Sequence, residues 1–219
     1  MSLAESVRTR FPEWEETNRL PEGLEHLTTT SEGSEIRSYV WEGETIRRAR
    51  VCELSIPGKF TAETLVIYPD WCTQTPILGT EYITIANKKF FGAIDFHPLL
   101  QTPEYLERWV EEYLYDFPER QTETSKFYDL SKYFSSRFWT KKSAEDFSEE
   151  YADWADRYMG RYRMALMDGD VGESNRPLHV DYDRHMALND PAHGILKSYF
   201  GAGFADFYVH RFLFDLSEG

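Results

Sequence analysis

GTEYITIANKKFFGAIDFHPLL, residues 79–100, reads as a β-hairpin, with two β-branched and aromatic arms separated by Ala-Asn-Lys-Lys. Each arm carries one carboxylate, Glu81 and Asp95. A turn at Asn87-Lys88 puts Glu81 on one face with Ile83, Ile85, Phe90 and Ile94, and sends Asp95 to the other. Glu81 is then an acid in an apolar setting, where burial disfavours the charged form and leaves a neutral carboxyl able to donate a proton near pH 7. The competing reading is an acid at the strand's frayed start, solvated or paired with an arginine. Asp95 is placed to cap the turn into FHPLL.

Working outward, IRSYVWEG (36–43), RARVCELSI (48–56) and ETLVIYP (63–69) are short apolar runs bounded by Gly and Pro, which makes five strands with the hairpin. Connections this short leave no room for crossover helices, so the sheet is expected to be mainly antiparallel. After Pro98 the spacing turns helical. Thr102 and Pro103 form an N-cap with Pro at the first helical position, and PEYLERWVEEYLYDF follows at three- and four-residue intervals. A second helix is expected from Ser143 with Asp146 three residues on, and two more at 191–200 and in GFADFYVHRFLFDL. Strands first and helices mostly after imply α+β, with helices packed on the faces of one sheet. The expectation is a single domain over 1–219, loop-rich through residue 35.

At 219 residues the chain is long enough to bury a sizeable core, and 16% of it is aromatic. The net charge of −14 argues against nucleic acid, whose phosphates need a basic face. No stretch approaches the roughly 18 apolar residues of a membrane span, and MSLAESVRTRFPEWEE lacks a signal peptide's apolar core, so a cytoplasmic protein is expected. Cys52 and Cys72 form no metal-binding motif, so neither a zinc site nor a cysteine-held iron–sulfur cluster is expected.

Other motifs carry little. FGAGFADF (200–207) follows a helix rather than a strand and is no dinucleotide fingerprint; Gly201 reads as a helix end. His179 and His185 are six apart, which matches no zinc spacing, and DGDVGE (168–173) reads as a helix-ending turn. Asp190 in ALNDPAHG reads as an N-cap followed by Pro191, and a cap can still face a pocket.

With these residues in hand, the sequence resembles the ferredoxin-dependent bilin reductases. The carriers are LPEGLE, IRRARVCEL, VIYPD, TPILGTEYI, GAIDFHPLLQTPEYLERW, KYFSSRFW and NDPAHGILKSYFGAGFADFYVHRFLFDL, in the family's order from about Leu20 to Leu216. The resemblance implies a three-layer α/β/α sandwich with a central, mainly antiparallel sheet, and a linear tetrapyrrole held between that sheet and the C-terminal helices. It implies no cofactor bound by the chain, and electrons taken singly from reduced [2Fe-2S] ferredoxin in a radical mechanism. LPEGLE, KYFSS and DPAHG resemble most the branch that reduces the A-ring diene of 15,16-dihydrobiliverdin to phycoerythrobilin. The alternatives are a reductase acting on biliverdin itself and a non-catalytic bilin-binding protein.

The resemblance also assigns residues. The family's central acid, in an LGxD segment, falls on Glu81, one methylene longer, and its second acid on Asp190; both are implied proton donors. Thr64 stands where several members have His or Asn. Lys142 stands at a basic position, commonly Arg, near the bilin propionates, where Lys acts as a point charge. Ile83 and Phe90 are expected to touch substrate. Ferredoxins are acidic, as this chain is, so docking needs a local basic patch. Arg47, Arg48 and Arg50 with Lys88, Lys89, Lys141 and Lys142 are the candidates, against the plainer reading of solvated charges. A monomer is implied, in a cytoplasm, a plastid stroma or a phage-infected cell.

Overall fold

A computed structural model describes the chain except at residues 1, 18, 21–23, 25, 29–32, 120–131, 170–171 and 219. It opens with a helix where a loop was expected, α1 (Leu3–Arg10), capped by the Ser2 hydroxyl accepting from the Glu5 N–H. Two short strands, β1 (Glu15–Glu16) and β2 (His26–Thr28), follow, each pairing with β3 (Glu35–Gly43). β4 (Ile46–Ile56), β5 (Phe60–Pro69), β6 (Ile77–Ile85) and β7 (Lys89–His97) continue the meander, within a residue or two of expectation for most bounds. All pairings are antiparallel. Part of the loop-rich stretch expected before residue 35 and part of the turn at 168–173 lie outside the described residues.

After β7, Thr102 caps α2 (Pro103–Leu106), its hydroxyl accepting from the Tyr105 N–H. A π-helical turn (Glu107–Glu111) carries the chain into α3 (Glu112–Leu114). β8 (Trp139–Ser143) then joins the sheet on β7; its Lys-rich sequence suits an edge strand and hid it from pattern reading. Ser143 therefore ends a strand. The long helix α4 (Ser148–Met167) starts later, at Ser148, whose N–H donates to the Asp146 carboxylate. Three more helices follow: α5 (Arg176–Asn189), α6 (Ala192–Phe200) and α7 (Ala202–Tyr208), the last running into a second π-helical turn (Val209–Leu213).

Helices cover both faces of the eight-stranded sheet, as the sandwich expectation required. On one face, residues such as Trp41, Val51, Leu65, Leu78, Ile94 and Phe96 pack against α1, α4 and the 103–117 segment through Trp109, Tyr158 and Tyr162. On the other, Val40, Cys52, Leu54, Val66 and Ala93 face Tyr182, Met186, Leu196, Tyr208 and Phe212 from α5, α6, α7 and the second π turn. Fully burying side chains of this size contributes roughly 1.5–3 kcal/mol each.

The β6–β7 register corrects one expectation. Ala86 and Asn87 hold positive φ (50° and 52°) and Lys88 donates its N–H to the Ile85 carbonyl, so the reversal begins one residue early. Ile85 therefore pairs with Lys89, and Glu81 with Ala93 rather than Ile94. A one-residue slip moves every side chain of the second arm to the other face. Phe90 and Ile94 go to the α1/α4 side, and Asp95 comes to the face of Glu81.

Candidate active site

The face toward α5–α7 holds the site. Cys52, Thr64, Glu81 and Ala93 are register partners across β4–β7, and directly opposed residues share a face. Next to that row Arg50, Val66 and Gly79 form a second, and Leu54, Ala62 and Ile83 a third. These residues floor an apolar cleft roofed by Tyr182, Met186, Asp190, Ile195, Leu196 and Leu213 among others. A mostly apolar lining with a few polar groups is the character of a site for a flat organic ligand.

Two acids line it. Glu81 rises from the middle of β6, and burial, aided by the charge of Asp190, pushes its carboxyl up to about 8 against the opposing pull of Arg50. Asp190 ends α5, and its Oδ1 accepts the Ala192 N–H at 2.7 Å, so it is the cap of α6 that its sequence announced. It also lines the cleft, and burial raises its carboxyl although the Ala192 N–H, Arg50 and His193 act the other way. Burial thus shifts an acid on the floor and an acid in the roof in the same direction, toward the protonated form that general acid catalysis needs.

Neutral partners complete the inner end. His97 Nδ1 lies 2.6 Å from the Tyr182 hydroxyl, and burial pushes the imidazole down to about 3, so it stays uncharged. Its ring rests on Gly79: a Cβ there would meet His97 Cε1 at 2.5 Å, so the glycine of LGTE makes the room. Behind the row, Tyr208 bonds Ser38 at 2.8 Å and Cys52, whose thiol burial pushes up to about 11. His179 and His185 lie apart from this, ringed by Trp71 and Tyr133 respectively. Among the described residues no group of three or more His, Cys, Asp or Glu could hold a metal ion.

The remaining expectations divide. Thr64 and Ile83 line the cleft. Phe90 does not; the register puts it on the opposite face. Lys142 pairs with Phe91, its Nζ 5.6 Å from that ring, exposed at the sheet edge beside the cleft rather than within it. Lys88 and Lys89 are exposed on the β6–β7 turn, while Lys141 is bonded to Glu150.

Arg47, Arg48 and Arg50 are not a surface patch. Arg47 bonds Asp215 at 3.0 Å and lies 3.5 Å from Asp183, Arg48 donates to the Phe212 carbonyl, and Arg50 to the Leu213 carbonyl. They pin the C-terminal segment from beneath. Sequence reasoning missed Arg50, His97 and Tyr182 as cleft residues. Correct parity from Glu81 through Ala93 would have reached His97, and nothing local marks a strand arginine as buried.

The comparisons with known proteins agree with this geometry. The 15,16-dihydrobiliverdin:ferredoxin oxidoreductase of Synechococcus sp. (strain WH7803) is 30% identical over 217 residues, covering 91% of this chain and 90% of its own. Its namesake from Synechococcus sp. (strain CC9605) is 29% identical over 214 residues, with the same coverage. The crystal structure of phytochromobilin synthase from tomato in complex with biliverdin superposes with a TM-score of 0.82 at 16% identity, over 98% of this chain and 82% of that one, which speaks to the fold. The family described as ferredoxin-dependent bilin reductase matches from residue 4 to residue 215, across the whole sheet and every helix that roofs the cleft, and the chain belongs to that family of enzymes.

Proposed function

We propose that this chain reduces 15,16-dihydrobiliverdin to phycoerythrobilin, taking two electrons singly from reduced ferredoxin and two protons from Glu81 and Asp190. The observation that carries the reading is the pair of acids on opposite walls of one apolar cleft, both shifted by burial toward the protonated form. A two-electron reduction of a conjugated ring system adds two hydrogens. Each electron entering the π-system makes the bilin more basic, and an acid in reach then forms a C–H bond and is left as carboxylate. Two acids on two walls serve two carbons without either having to be recharged between steps. Thr64, beside Glu81, and Ile83 belong to the wall that positions the substrate. Lys142, at the cleft edge, serves a propionate as a point charge. The fold acts as one domain and one copy suffices, since both acids and the whole cleft come from a single chain.

A second reading is the formation of 15,16-dihydrobiliverdin from biliverdin, favoured by the name that the cyanobacterial relatives carry. Anaerobic turnover with reduced ferredoxin, offering biliverdin and 15,16-dihydrobiliverdin separately and identifying products by chromatography, separates the two. Phycoerythrobilin from dihydrobiliverdin, with biliverdin untouched, is the expected result. Consumption of biliverdin transfers the protein to the second reading. A stable complex with either bilin and no product makes it a carrier.

A further inference from the structure

The inner end of the cleft holds a positive charge that no carboxylate among the described residues hydrogen-bonds. Arg50 is buried, its Nε donating to the Leu213 carbonyl at 2.8 Å, its Nη1 3.5 Å from the Thr64 hydroxyl and its guanidinium 5.3 Å from the Phe214 ring. Its neighbours Arg47 and Arg48 both pair with Asp215, but among the described residues Arg50 has no ion pair. Its field reaches Glu81, Asp190, Cys52, Tyr68, Tyr182 and Tyr208, every one of them on or behind the cleft. A guanidinium does not give up a proton, so it cannot join the acids as a donor of hydrogen. A buried cation without a counter-charge is costly, and one that lines a ligand cleft fits a ligand that brings an acceptor oxygen.

Bilin chemistry says which oxygen. A linear tetrapyrrole folded on itself carries its two propionates on the middle rings along one edge, and its two lactam oxygens on the terminal rings along the other. The outer end of the cleft is apolar (Phe60, Ala62, Ile83) and opens beside exposed Lys59, Lys88, Lys89 and Lys142, where propionates stay near water and cations. The opposite edge of the ligand then reaches the end of Arg50 and His97.

We propose that Arg50 donates to the lactam oxygen of a terminal bilin ring and holds the negative charge placed there by each electron, until Glu81 or Asp190 protonates a ring carbon. This rests on the bilin-reductase reading and adds a third role to the site. Ferredoxin supplies one electron per step, the acid supplies the proton for the new C–H bond, and Arg50 keeps its own protons throughout. Planar two-pronged donation to an oxygen is what distinguishes arginine here from lysine.

15,16-Dihydrobiliverdin is the probe. Its lactam C=O stretch is measured by vibrational spectroscopy when bound to wild type, Arg50→Gln and Arg50→Lys, alongside the single-turnover rate with reduced ferredoxin. The expected result is a wild-type band below that of free 15,16-dihydrobiliverdin, moved back toward it in R50Q and part-way in R50K. Losing one preorganised charge-stabilising donor should slow the first reduction roughly a hundredfold, with 15,16-dihydrobiliverdin affinity changed less and R50K recovering part of the rate. A lactam band that is the same in R50Q as in wild type overturns the proposal. Should R50Q not fold, because Arg50 also holds Leu213, an R50K band identical to wild type overturns it equally. If wild type binds 15,16-dihydrobiliverdin and the band follows residue 50 but ferredoxin yields no product, the lactam subsite stands and the reductase reading fails. If wild type binds no bilin, both fall.

Discussion

Glu81 has a proton to give because desolvation and the neighbouring Asp190 outweigh Arg50. The sign of the linked stability change follows. The folded chain holds this proton from 4.5, the ordinary value, up to about 8, while the unfolded chain has released it. The contribution is fully present below that window and is lost as pH rises through it. Glu81→Gln removes the titration, so between about pH 5 and pH 8 the melting temperature of wild type should fall relative to that of E81Q. Parallel curves would refute a neutral Glu81. The same variant should retain bilin binding and lose roughly a hundredfold or more in turnover, measured as single-turnover rate against bilin Kd. The alternation around Glu81 was legible because a carboxylate interrupts an otherwise apolar strand. Arg50 was not, since a strand arginine reads as a surface charge until the segment that covers it is in place. Asp190 was half-legible: its cap is local, and its place in the cleft roof depends on how α5 and α6 pack.

At the scale of elements, the main strands and most helices were readable from period and punctuation, but the β6–β7 register was not. Ala86 is the reason: it holds positive φ, which a local rule gives to Asn or Gly, so the turn appeared to start at Asn87. Replacing it with glycine relieves that conformation. Ala86→Gly should stabilise the chain by about 1 kcal/mol, read as a higher urea midpoint with unchanged slope, and should leave the bilin site untouched. A loss of stability would mean that the turn does not hold the left-handed conformation. α1, β1, β2, β8 and α5 (Arg176–Asn189), for which no helix was expected, escaped because each is short or polar and is stabilised by what it lies against rather than by its own pattern.

For the whole molecule, the cations divide into two populations. Arg47 and Arg48 tie the C-terminal segment to β4 through Asp183, Asp215 and the carbonyl of Phe212. Arg47→Glu sets a third carboxylate against two, and breaking such a buried pair should cost about 3–5 kcal/mol, seen as a lower denaturant midpoint. The exposed lysines of the β6–β7 turn stand free of that framework and beside the cleft mouth. Reversing Lys88 and Lys89 to Glu together should reduce ferredoxin-driven turnover most at low ionic strength, with melting temperature and bilin Kd unchanged. Equal turnover at every salt concentration would remove this edge from the docking surface. The α/β/α layering was visible in the order of strands and helices; the split among the cations was not, because it is set by the π-helical turn over β4.

Asp190 has one further consequence. Its carboxylate is the N-terminal cap of α6, the helix that brings Ile195 and Leu196 over the ligand. An ionised side chain caps a helix more strongly than a neutral one, because it accepts the N–H with a full charge and meets the positive end of the helix dipole. On the proposed reaction, a proton delivered by Asp190 therefore strengthens the cap of the helix that roofs the cleft, and the proton's return weakens it.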